Sequence, residues 1–72
     1  MSNVELVFER LVREKVVETM MKEIEEADGQ KNCLEGLKLS WWIEREFDFE
    51  LSEDEEECLG EMIEERYQMT WI

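Results

Sequence analysis

Apolar residues recur every three or four positions at the start of the chain: Val4, Phe8, Leu11, Val12, Val16, Met20, Ile24 and Ala27, with Val7, Val17 and Met21 widening the set. The other side carries Glu9, Arg10, Arg13, Glu14, Glu18, Lys22, Glu25 and Glu26. This periodicity predicts one amphipathic helix over about 3–27, with a short strand over Val4 to Phe8 as the minor alternative. Ser2 followed by Glu5 reads as a capping box, and Asp28-Gly29 supplies a left-handed stop. Residues 30–36 read as a turn or a single helical turn.

From Leu37 the period changes to two. Leu37, Leu39, Trp41, Ile43, Phe47, Phe49 and Leu51 occupy odd positions, and Lys38, Ser40, Glu44, Glu46, Asp48 and Glu50 even ones. Only Trp42 and Arg45 break the alternation, which is the pattern of a half-buried strand. One straight strand of this length would span about 50 Å, whereas a chain this size folds into a body about 29 Å across. The run must therefore bend or project. A three-residue loop at Glu44-Arg45-Glu46 would set Ile43 opposite Phe47 and keep both on one face, although Glu46 stands where glycine is preferred. Two antiparallel strands, about 37–43 and 47–51, are expected; a single bent strand pairing with a second copy is the alternative.

Ser52 with Glu55 repeats the capping signal and opens a second helix over about 53–69. At 100° per residue, Cys58, Leu59, Met62, Ile63, Arg66 and Met69 share an inner arc. Glu53, Asp54, Glu57, Glu61, Glu64 and Glu65 share the outer one. The expected fold is therefore α+β, a small single α-β-β-α domain with two amphipathic helices packed on a short antiparallel sheet. Dimerisation would complete a core that 72 residues can barely fill. Trp41 is in phase with the odd-numbered core positions. Trp42 is out of phase and is expected on the outer side, where it and the terminal Trp71-Ile72 would serve as dimer or partner contacts.

Composition removes most chemistry. There is no His, so the commonest general base and metal ligand are missing. Cys33 and Cys58 cannot complete a zinc site and read as small core residues, not as a disulfide. Asp48-Phe49-Glu50-Leu51-Ser52-Glu53-Asp54 spaces oxygen ligands like the start of a calcium loop, but the sixth position lacks glycine and the twelfth is Leu59. No catalytic residues, metal or cofactor are expected. The N-terminus lacks a basic segment followed by an apolar run, which with free thiols predicts a cytoplasmic protein.

Charge changes the picture more. The net charge is −13, and residues 44–72 hold twelve acids against Arg45 and Arg66, so −10 of it lies there. Eight acids fall in the thirteen positions 53–65, about one carboxylate per 2.4 Å of helix axis, against roughly one phosphate per 1.7 Å of duplex DNA. Such a surface disfavours direct binding to duplex nucleic acid or to anionic membranes and favours basic proteins.

By size, acidity and lack of catalytic residues, the chain resembles in kind the small bacteriophage host-takeover proteins that mimic DNA. The resemblance is carried by the Glu44–Glu65 pattern. It implies an inhibitor, acting in the host cytoplasm, that binds the basic nucleic-acid-binding surface of a nucleoid protein of the HU type, an RNA polymerase subunit or a defence nuclease. In that reading Glu53, Asp54, Glu57, Glu61, Glu64 and Glu65 stand in for phosphates, and Glu44, Glu46, Asp48 and Glu50 extend the row. The rival is an antitoxin-like or adaptor module with hydrophobic contacts through Trp42, Trp71 and the first helix.

Overall fold

The computed structural model describes residues 2–72 and places four helices in the order α1 (Asn3–Arg13), α2 (Val16–Asp28), α3 (Gly36–Glu46) and α4 (Glu53–Tyr67). Two short strands, β1 (Cys33–Leu34) and β2 (Thr70–Trp71), flank the α3–α4 pair and run parallel, with Cys33 opposite Thr70. The order is α-α-β-α-α-β. The expected α-β-β-α domain with an antiparallel sheet does not form.

The first departure is a break in the long N-terminal helix. In α1 the buried residues are Val4, Val7 and Leu11; in α2 they are Val16, Val17 and Ile24. At 100° per residue these two sets point roughly 150° apart on one continuous helix. No straight helix could turn both toward one core. Lys15 resolves the conflict by adopting a left-handed conformation, φ 54° and ψ 37°, at a cost of about 1–2 kcal/mol for a side chain with a Cβ. Burying several aliphatic side chains at about 1.5–3 kcal/mol each outweighs that. Of the capping box expected at Ser2, one half forms, the Glu5 N–H donating to the Ser2 hydroxyl. Gly29 closes α2 at φ 73°, as expected.

The second departure is α3, where strands were expected. Leu39 and Ile43 are buried and Trp42 and Glu46 half-buried, the i, i+3, i+4, i+7 spacing of one helix face. Leu37 and Trp41 instead face outward, 79% and 59% exposed. The assignments of the two tryptophans are thus reversed: Trp42 is the core member and Trp41 the exposed one. Gly36 opens α3 and does not break it. Beyond α3, residues 47–51 form no strand. Phe47, Phe49 and Leu51 nevertheless turn inward against the core while Asp48 and Glu50 face out, so the alternation is realised in a loop.

Arg10 fixes the end of α3 to α1. Its guanidinium donates to the Glu46 carbonyl and carboxylate, each at 3.3 Å, and its Nε lies 3.4 Å from Glu14. The same group sits 4.9 Å from the Phe47 ring centroid and 5.9 Å from that of Trp42. Trp42 meets Phe47 edge-on, and Phe47 in turn packs tilted against Phe49, forming an aromatic row. Pairing of a cation with both a carboxylate and ring faces makes this a junction between distant segments.

α4 packs chiefly on α1, and Leu59 and Ile63 of α4 share one buried core with Val7 and Leu11 of α1. The chain then turns at Gln68, and β2 locks onto β1. The Thr70 N–H donates to the Asn32 carbonyl at 2.6 Å and the Ile72 N–H to the Leu34 carbonyl at 2.8 Å. Among the described residues no helix is long and apolar enough to cross a membrane.

Candidate acidic surface and cleft

Ser52 starts α4 with both halves of a capping box: its hydroxyl accepts from the Glu55 N–H at 3.2 Å, and its own N–H donates to the Glu55 carboxylate at 3.0 Å. Four acids, Glu53 to Glu56, occupy the first turn, where the positive end of the helix dipole favours them. Cap and dipole together hold a helix whose like charges oppose it.

Glu53, Asp54, Glu57, Glu61, Glu64 and Glu65 are all exposed, as the spacing predicted. Among the described residues, none of the α4 carboxylates takes part in an ion pair; the four pairs present involve Glu14, Glu35 and Glu46. Glu64 has one polar partner, the indole N–H of Trp71. Its carboxylate therefore also fastens the C-terminal strand to α4.

The second acidic row is divided. Glu44, Asp48 and Glu50 are exposed, but Glu46 turns inward to Arg10 and also meets Arg45 at 3.2 Å. It is a structural ion-pair partner and is separated from the outward row. Of the hydrophobic contacts expected, Trp42 and Trp71 are both half-buried, and Ile72 remains exposed. Cys33 is buried, whereas Cys58, expected in the core, is exposed; both are free thiols.

Sequence reasoning missed a cleft of about 320 Å³ between α3 and α4. Leu39, Ile43, Leu51 and Leu59 form its apolar floor, and Trp71 its wall. Glu44, Glu50 and Glu56 stand at its edge. Two glycines line it beside the indole: a Cβ on Gly36 would lie 4.0 Å from the Trp71 ring and one on Gly60 3.9 Å from it. A glycine inside a capped helix of otherwise good helix formers was the visible signal, since it forgoes about 1 kcal/mol relative to alanine.

Tyr67 lies near the end of α4. Burial, and secondarily the Glu18 carboxylate, pushes its hydroxyl above the ordinary value of 10.0, with Arg66 pulling the other way. Among the described residues its buried oxygen has no partner at good hydrogen-bonding geometry, Arg66 interacting with it only weakly. Among the described residues no three Cys, Asp or Glu side chains converge in a metal-holding group.

These features define a small, mostly helical domain with an ordered, unneutralised acidic face beside an apolar cleft. No family model matches the chain, and no curated protein or solved structure shows significant similarity to it.

Proposed function

We propose that this protein is a non-catalytic inhibitor that presents α4 to the basic nucleic-acid-binding surface of a partner protein and keeps DNA from it. The observation that carries this reading is the unpaired state of the carboxylates on a capped helix. Charges spaced along a rigid axis at a density near that of duplex phosphate match a cationic surface that would displace their counterions, and among the described residues no Lys or Arg pairs with them. In this role Glu53, Asp54, Glu57, Glu61, Glu64 and Glu65 meet the partner's Lys and Arg side chains, and Glu44, Asp48 and Glu50 extend the contact across the cleft edge. Glu46 holds Arg10 instead.

A second reading rests on a different observation. Leu37 and Trp41 lie exposed at i, i+4 on α3, the arrangement of an adaptor or dimer contact made by apolar burial. Salt and DNA separate the two. The immobilised protein is exposed to a bacterial lysate at about 0.05 M and 0.5 M salt, screening lengths of very roughly 14 Å and 4 Å. The inhibitor reading expects proteins retained at low salt, released at high salt, and displaced by duplex DNA. Retention that survives high salt, or a partner that holds DNA and this protein together, overturns it.

A further inference from the structure

Gly60 is an unusual choice in the body of α4, and Gly36 lies across the Trp71 ring from it. A Cβ at either position would meet the indole at ordinary van der Waals distance, 3.9 Å and 4.0 Å, so steric exclusion is not the reason for glycine. Both glycines line an apolar-floored cleft of about 320 Å³, at the lower end of the roughly 300–1,000 Å³ typical of ligand sites. Its size suits one large side chain whose backbone stays outside.

Its edge restricts the occupant. Glu44, Glu50 and Glu56 stand around the opening, and among the described residues none has an ion-pair partner. An anionic ligand would be repelled. So would a second copy of this chain, which carries −13 itself. A bare metal ion gains nothing from the apolar floor, and the three carboxylates do not converge. The complementary ligand has an apolar group to fill the floor and a cation at its base.

We propose that the cleft is the specificity pocket of the acidic surface: it takes one large apolar side chain from the basic partner, with an adjacent Arg or Lys held between Glu44, Glu50 and Glu56. The proposal rests on the reading of a basic partner given above. It adds that long-range charge brings the partner on, while the cleft selects among basic proteins by the residue they insert.

The test uses two synthetic peptides of equal positive charge, one alternating Arg with Leu and one alternating Arg with Ser, titrated at low salt into the isotope-labelled full chain. Both should shift the backbone amides of Glu57, Glu61 and Glu65. Only the leucine peptide should shift Gly36, Gly60 and the Trp71 indole, and it should bind about tenfold or more tightly, as burial of one large side chain requires. Gly60→Leu, which fills the cleft, should abolish that advantage. The isosteric triple variant Glu44→Gln, Glu50→Gln, Glu56→Gln should weaken both peptides but reduce the cleft signals more, and serves if Gly60→Leu fails to fold. Equal affinities with shifts confined to the outer face of α4 would overturn the pocket and leave the proposed function standing. Absence of binding by either peptide would overturn both. Cleft signals that move with protein concentration alone would assign the pocket to self-association and also overturn the proposal.

Discussion

Glu57 offers a direct measure of how far α4 is held against its own charge. It is exposed, and its helical neighbours at −4, −3 and +4 are Glu53, Asp54 and Glu61. Each like-charge pair at such spacing destabilises a helix by about 0.2–0.5 kcal/mol, and each opposite pair stabilises it by a similar amount. Glu57→Lys converts three repulsions into three attractions. The ideal sum is about 1–3 kcal/mol. Side-chain entropy, screening and the less favourable orientation of a lysine preceding Glu61 reduce this to about 1 kcal/mol. For a domain of this size that raises the melting temperature by about 4–8 °C. Thermal unfolding followed by far-ultraviolet circular dichroism at low salt and at about 0.5 M salt would measure it, and the gain should shrink at high salt. In the same variant, affinity for a basic partner should fall. A gain in stability with a loss of binding is the signature of charge retained for a partner. An unchanged or lower melting temperature at low salt would refute the premise that the carboxylates repel one another unrelieved.

Three other substitutions test separate parts of the structure. Gly60→Ala should stabilise by about 0.4–1 kcal/mol in chemical denaturation, since the helix accepts it and its Cβ would sit 3.9 Å from Trp71. Trp42→Ala should destabilise by about 3 kcal/mol and Trp41→Ala by well under 1 kcal/mol, because only Trp42 joins the packed aromatic row; equal losses would contradict the phase of α3. Tyr67→Phe removes a buried hydroxyl that among the described residues has no partner at good hydrogen-bonding geometry, and should be neutral or stabilising by up to about 1 kcal/mol. It should also change the alkaline limb. The native hydroxyl titrates above its unfolded value of 10.0, so its contribution is intact below pH 10 and is lost as pH rises from there through the raised native value. Stability measured across that window should fall less steeply in Tyr67→Phe.

Local signals were legible wherever the physics is local. The capping box at Ser52 and Glu55 and the stop at Gly29 depend on neighbours within a turn, and both formed. The outer arc of α4 followed from helical spacing alone, so its six acids lie exposed. The first helix shows where this breaks down. A stripe advancing by four residues drifts by about 40° each step, so residues that look contiguous on paper end on opposite sides. The turn at Lys15 was invisible because no local preference asks for it; the need to bury two misaligned faces does.

The run from Leu37 to Leu51 was ambiguous for a different reason. Leu39 and Ile43 are both odd-numbered and also four apart, so they satisfy a strand and a helix equally. Trp42 and Arg45, which seemed to violate the alternation, were the residues that distinguished them. Glu46, read as part of the outward acidic row, turns inward instead, and that could not be read because its partner Arg10 lies on another helix. By itself the sequence determined the charge, the caps and the face that α4 shows to solvent, since each is set by composition or by residues a turn apart. Only the tertiary structure decided the break in the first helix, the helical state of α3, the parallel clasp of the two strands and the cleft under Trp71. Those depend on which distant surfaces meet, and burial between them outweighs the local preferences that a linear reading can follow.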